Sequence, residues 1–256
     1  MGRTARHCNA IAAACAFAGA LAVAGCAARP AADAVAGGPP GKRRLTIFVP
    51  GVFGNGPWYS GLIQELRQSS GPVEVCAWGA SKVTFARNFS NPAIHAEAEA
   101  RLAALLKEVP ADVDEVDLIG HSAGCGVILG ALAKSDRRVR YTMLIAPSVS
   151  PQYDLSAAAR NTGRIDVFYS DRDTAFLHWR TGHFGTYDGV KTPAAGYGGF
   201  AAPPTASPPA NLRQHPYDPA WAALGNRGGH AGGVARQFVA KILAPLLRSR
   251  DEPPQT

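Results

Sequence analysis

The 256-residue chain is short of charge, of long apolar runs and of cysteine beyond its first 26 positions, and each shortage excludes a class of protein. Charged residues make up 18% of the sequence against 46% hydrophobic ones, so there are enough apolar side chains for a packed core and wholesale disorder is not expected. The longest apolar stretch, from about Ile11 to Ala24, is Ala-rich and shorter than the roughly 20 residues a spanning helix needs. No C-x-x-C pair, no H-E-x-x-H and no clustered His/carboxylate spacing occurs, so no metal centre is expected. There is no P-loop and no G-x-G-x-x-G after a strand-like run, so no nucleotide cofactor is expected. Nor is there a Lys/Arg block with interleaved aromatics, which removes nucleic acid as a partner.

The opening "MGRTARHCNAIAAACAFAGALAVAGC" has a basic start (Arg3, Arg6), an apolar middle and small residues at its end, the pattern of an export signal over residues 1–25. Its last four residues, Val23-Ala24-Gly25-Cys26, resemble the lipobox of bacterial lipoproteins. That resemblance implies lipid on Cys26, an exported chain and a membrane-anchored protein of the cell envelope. An ordinary signal peptide cut nearby, leaving a soluble exported protein, is the alternative. The signal carries two arginines and no acids, so without it the formal charge falls from +7 to +5, enough for a weak attraction to anionic surfaces and no more. Three of the five cysteines lie in these first 26 residues. Export would permit a bridge between Cys76, in a strand-like run, and Cys125, in the first turn of a helical run, but the default expectation is two free, buried thiols.

Residues 26–43 are Ala/Gly/Pro-rich without periodicity and read as a tether; from residue 44 to 249 the pattern is that of one α/β domain, and 250–256 of a frayed tail. "RLTIFVPG" is a strand, followed by a helix from about Trp58 to Arg67 with Leu62, Ile63 and Leu66 on one side, and "VEVCAWG" is a second strand. Asn91 caps and Pro92 opens a helix whose apolar face carries Ile94, Leu102, Leu105, Leu106 and Val109. "DEVDLIG" then runs into the helix "AGCGVILGALAK", and "VRYTMLIAP" and "RIDVFYS" are strand-like by their β-branched and aromatic content. In "GVARQFVAKILAPLL" Val234, Phe238, Ile242 and Leu246 recur at helical spacing. Alternating strands and helices imply a mostly parallel sheet covered on both faces. Residues 174–228 break the rhythm and read as an irregular, lid-like insertion or substrate wall.

Gly120-His121-Ser122-Ala123-Gly124 fits G-x-S-x-G at the junction of an apolar strand and an apolar helix. A turn that tight lifts a serine hydroxyl clear of the sheet, and its glycines admit backbone where a Cβ would not fit. On this motif and its context the chain from about Arg44 to Leu247 resembles the α/β-hydrolase family of serine esterases and lipases. The resemblance implies an α/β-hydrolase fold, a nucleophile, acid and histidine in that chain order, and no cofactor. It places the nucleophile at Ser122. "VFYSDRDTAF" supplies the acid, with Asp173 favoured over Asp171 by the family's G/S-x-x-D spacing. His230, in "GNRGGHAGG" directly before the last helix, is where the family carries its histidine, with His183 in reserve. The oxyanion donors implied are the backbone N–H groups of Ala123 and of Val52, the latter in "FVPGVFGNG", which carries Pro50 where the family more often has His.

These assignments lead to a carboxylesterase or lipase type of serine hydrolase acting on a small-molecule or lipid ester. Acyl transfer or thioester cleavage by the same three residues, and a non-catalytic binding domain on the same fold, are the other readings. Trp58, Tyr59, Phe176, Trp179, Phe184, Tyr197 and Phe200 either line an acyl site or belong to the core.

Overall fold

A computed structural model describes residues 42–79, 85–201 and 208–249. The stretch read as an export signal, Cys26, most of the stretch read as a tether and the stretch read as a tail lie outside the described residues. Among the described residues six strands form one sheet: β1 (Arg44–Val49), β2 (Val73–Val75), β3 (Glu115–His121), β4 (Tyr141–Ile145), β5 (Ile165–Tyr169) and β6 (Leu212–Pro216). They lie in the order β2-β1-β3-β4-β5-β6 and every neighbouring pair is parallel.

The sequence of β1 shows why it sits inside. All six residues of "RLTIFV" are buried, as expected of a strand covered on both faces. Leu45, Ile47 and Val49 point into one core with Leu102, Leu106 and Ile128, while Phe48 points into the other with Leu62, Leu66 and Phe238. Helices α1 (Ser60–Ser70), α2 (Phe85–Ser90), α3 (Pro92–Glu108), α4 (Ala123–Lys134) and α5 (Ser156–Arg160) follow the first strands. The Asn91 side chain accepts from the Ala93 and Ile94 amides and Pro92 takes the first position of α3, as the sequence reading expects. The buried seam of α3 runs through His95, Ala98, Leu102 and Leu106, with Ile94 and Leu105 only partly covered.

Three elements differ from the reading of the sequence. "VEVCAWG" is a strand only over Val73–Val75, because β2 is a half-buried edge strand with one neighbour to pair with. The stretch 174–228 is not irregular throughout. It holds a wide helical turn over Thr174–Arg180, α6 (Thr181–Phe184), α7 (Ala195–Gly198) and β6, which pairs with β5 from Ile165↔Leu212 to Tyr169↔Pro216. "LRQHP" escapes a hydrophobic scan because an edge strand needs little apolar surface and tolerates Pro where no neighbour accepts its N–H. The last helix is not uniform either: α8 (Arg236–Phe238) and α9 (Ala244–Arg248) are joined by a wider π-type turn over Val239–Leu243. Pro245 has no N–H to continue regular α bonding, and the wide turn leads into it. Of the two domain cysteines, Cys125 is free and buried, and Cys76 is buried as well.

The strand order reverses between β1 and β3: the chain leaves β1 toward β2 on one side and leaves β3 toward β4 on the other. Such a reversal opens a crevice at the C-terminal ends of the two strands, where ligands bind in open α/β sheets.

Candidate active site

Ser122 is the single residue between the end of β3 and the start of α4. Its φ of 56° and ψ of −126° are conformations that a residue with a Cβ rarely adopts, so this turn stores strain. Its glycines are dictated by approach. A Cβ on Gly120 would stand 3.0 Å from the Cys125 backbone, and one on Gly124 would collide with the carbonyl oxygens of Val49 and Pro50. Gly124 therefore lets α4 rest directly on the end of β1. Gly124→Ala is expected to destabilise the fold by about 3 kcal/mol, since the obstruction is backbone that no rotamer change can clear. Urea denaturation would read this directly, and an unchanged midpoint would mean that the end of β1 can retreat at no cost.

Three of the residues singled out in the sequence meet here. His230 Nε2 lies 3.0 Å from Ser122 Oγ, and His230 Nδ1 lies 2.6 Å from Asp173 Oδ2. A carboxylate only accepts, so Nδ1–H donates to Asp173 and Nε2 is left to accept the serine proton. Asp173 is buried in the turn after β5, where its amide donates to Ser170 O and its carbonyl accepts from the Leu177 amide. Asp171, two residues earlier, is exposed. His183 is also exposed, stacked on Trp179 at 5.4 Å with its Nδ1 near the Trp179 carbonyl, and takes no part in the cluster. The Phe176 ring lies nearly parallel to the His230 imidazole, 4.8 Å away, and restricts its rotation.

The loop after β1 brings Val52 to the same place. Its Gly51–Val52 peptide is oriented by the Gly54 amide, which donates to Gly51 O at 2.9 Å; in a trans peptide the Val52 N–H then points the opposite way. Pro50 provides no side-chain donor, and other residues hold the loop. Trp78 Nε1 donates to Pro50 O at 2.7 Å and Asn88 Nδ2 to Val52 O at 3.2 Å. Ala123 is the first residue of α4, so its amide has no acceptor within the helix and lies at the positive end of the helix dipole.

Ser122, His121, His230 and Val52 open into a cleft of about 520 Å³ with mainly apolar walls, among them Phe53, Trp58, Phe89, Phe176, Leu177 and Val234. Of the aromatics read as acyl wall or core, Trp58, Tyr59 and Phe176 line this cleft, Phe200 is buried in the core, and Trp179 and Phe184 are 64% and 73% exposed. Arg180 also borders the cleft, its guanidinium 4.6 Å above the Phe89 ring. Motif reading missed Ser148, whose buried hydroxyl lies 3.4 Å from that of Ser122, since nothing in "APSVSP" marks it before β4 is placed beside β3. Cys125, just behind the elbow, is buried, and burial pushes its thiol well above the usual range, which keeps it protonated and inert. Among the described residues no group of three or more His, Cys, Asp or Glu side chains is placed to hold a metal ion.

No family model matches the chain, and no curated protein matches it in sequence. Among solved structures it is similar to a predicted CIB-like hydrolase from Thermoplasma acidophilum, at 12% identity and a TM-score of 0.49 over 82% of this chain and 88% of that one. It is also similar to a structure from work on LipS and LipT, two metagenome-derived lipolytic enzymes, at 11% identity and a TM-score of 0.48 over 81% and 94% of the two chains. A lipase-esterase related protein from Clostridium acetobutylicum follows at 10% identity and a TM-score of 0.46, over 82% and 95%. The sheet, its all-parallel pairing and its strand-to-helix elbow at Ser122 are those of the α/β-hydrolase fold.

Proposed function

We propose that the protein is a serine hydrolase that cleaves carboxylic esters through an acyl-enzyme. The observation that carries this reading is the unbroken line from Ser122 Oγ through His230 to Asp173, at 3.0 and 2.6 Å, set in a strained elbow. Ser122 Oγ attacks the ester carbonyl as His230 Nε2 takes its proton, and the carbonyl oxygen becomes an oxyanion facing the Val52 and Ala123 amides. The tetrahedral intermediate collapses, His230 gives the proton to the leaving alkoxide, and the ester's acyl group stays on Ser122. Water enters, loses a proton to the same imidazole and releases the acid. Asp173 holds the Nδ1–H tautomer and stabilises the imidazolium in both halves. The apolar walls of the cleft suit the hydrocarbon part of an acyl or alcohol group. The test is release of p-nitrophenol from short- and long-chain p-nitrophenyl esters by the purified chain, with phosphonate labelling of Ser122 alongside. A folded protein that neither turns over these esters nor takes the label would rule the reading out.

A second proposal concerns place. The basic start, short apolar run and Val23-Ala24-Gly25-Cys26 support an exported chain held at a membrane by lipid on Cys26. Among the described residues no helix is long and apolar enough to cross a membrane. Cys26→Ser is expected to move the protein from the detergent to the aqueous phase on phase partitioning and to abolish incorporation of labelled palmitate. Unchanged partitioning would count against the anchor.

A further inference from the structure

The elbow residue before the nucleophile, His121, stands at the variable position of G-x-S-x-G, where the motif demands nothing. Here it is buried and committed on both ring nitrogens. Tyr59 Oη lies 2.7 Å from His121 Nδ1, and His121 Nε2 lies 2.9 Å from the backbone carbonyl oxygen of His230. Tyr59 Oη is also reached by the Gly51 amide, at 3.1 Å.

The directions follow from donor counting. The Gly51 N–H can only donate, so Tyr59 Oη accepts it. The one phenolic proton is then free to go to His121 Nδ1. A carbonyl oxygen can only accept, so His121 carries its proton on Nε2 and donates it to His230 O. The chain runs from the amide of Gly51, immediately before Val52, to the backbone of His230. It thus joins the loop after β1 to the loop that presents the imidazole, across a span of 179 positions in sequence. The proton states support it. Burial and the nearby His230 push the His121 imidazole down to about 3, so it stays neutral, and burial pushes the Tyr59 phenol up to about 12, so it keeps its proton.

We infer that Tyr59 and His121 are positioning residues that hold the Val52 oxyanion donor and the His230 imidazole in register with Ser122. Neither touches the reacting atoms in this role. The inference rests on the proposed ester hydrolysis, in which two groups from distant loops must meet one carbonyl. Trp78 and Asn88 fix the carbonyls of Pro50 and Val52. Tyr59 adds the amide between them and alone reaches on toward His230.

The test is Tyr59→Phe in the full chain. The change removes one oxygen and keeps the ring packed edge-on against Phe48 and His121, at 4.9 and 5.5 Å between centroids. The expected result is a fall in kcat of about 10- to 100-fold, less than the loss of a whole oxyanion donor, with KM changed little. A substrate pair separates positioning from general damage. Sulfur is a weak hydrogen-bond acceptor, so a well-aimed donor pair favours an ester strongly over its thionoester. In Tyr59→Phe that preference is expected to shrink, while thermal unfolding moves by only a few degrees. Imidazole nitrogen NMR supplies a readout independent of turnover: in the parent His121 is expected in the Nε2–H form at all working pH values, and in Tyr59→Phe its Nδ1 resonance shifts. A kcat and an ester-to-thionoester ratio equal to the parent's would overturn the inference while leaving the hydrolase reading intact. Should the parent turn over no ester, that reading fails by itself, and a His121 spectrum unaltered in Tyr59→Phe would overturn the relay as well.

Discussion

Ser122→Ala is expected to lower kcat for ester hydrolysis by about 10⁴-fold or more, to the level left by binding and the backbone donors alone. The size follows from the way the three side chains act together. Without Oγ, His230 has no proton to take and the acyl group has nowhere to attach, so the proper placement of Asp173 contributes nothing further. For the same reason Ser122→Ala combined with His230→Ala should be scarcely worse than either alone. Stability should barely change in Ser122→Ala, because alanine keeps the Cβ that makes φ of 56° unfavourable. Ser122→Gly should lose activity to the same extent and unfold at a higher temperature, since glycine relieves strain of about 1–3 kcal/mol. Steady-state rates with p-nitrophenyl esters and thermal melts of the three proteins decide the matter. Substantial turnover in Ser122→Ala would mean that another group is the nucleophile, and the neighbouring Ser148 would be the first to change next.

Asp173→Asn is expected to cost about 10⁴-fold in kcat with the fold intact, whereas Asp171→Asn should stay within about twofold of the parent. Asparagine is nearly isosteric but can turn an N–H toward His230 Nδ1. The imidazole then carries its proton on Nε2, facing Ser122 Oγ, where it cannot act as a base. The 2.6 Å contact between Asp173 Oδ2 and His230 Nδ1 makes this tautomer switch direct. Asp171 is exposed, with no imidazole to orient, so its loss changes only surface charge. The pair of variants is its own control, as both replace a carboxylate within four residues of the end of β5. Equal losses in both would imply a general field effect, and an active Asp173→Asn would show that the carboxylate does not set the tautomer.

The same contrast shows how far the residues could be read before they were placed. The strand end after "VFYS" offers two aspartates, and the G/S-x-x-D spacing favours Asp173 over Asp171. Burial separates them: the backbone turn at Ser170–Asp173 turns the second inward and leaves the first in water. Histidine was narrower still, because His230 lies on a glycine-rich loop before the last helix. His183, the reserve, is stacked on Trp179 and makes no contact with Ser122 or Asp173 among the hydrogen bonds of the site. Pro50 offered no means of holding the loop after β1, and the side chains that do so, Trp78, Tyr59 and Asn88, are 28, 8 and 36 positions from the groups they bond. No spacing rule finds such partners, since each arrives on a different element.

By itself the sequence determined what depends on neighbours in the chain. The strand-to-helix turn at Ser122 follows from "DLIGHSAGCGV", the cap of α3 from Asn91-Pro92, and the central strands from apolar runs that no exposed element would carry. Tertiary structure alone decided what depends on distant chain meeting. Edge strand β6 is polar and takes its conformation from pairing with β5, so its own residues do not announce it. Ser122 and His230 are 108 positions apart, His230 and Asp173 57, and their approach within hydrogen-bonding distance is fixed by strand order, not by any local preference. His121 is the clearest case. Its identity is free in the motif, and it acquires a role only because packing brings Tyr59 to one ring nitrogen and the His230 carbonyl to the other.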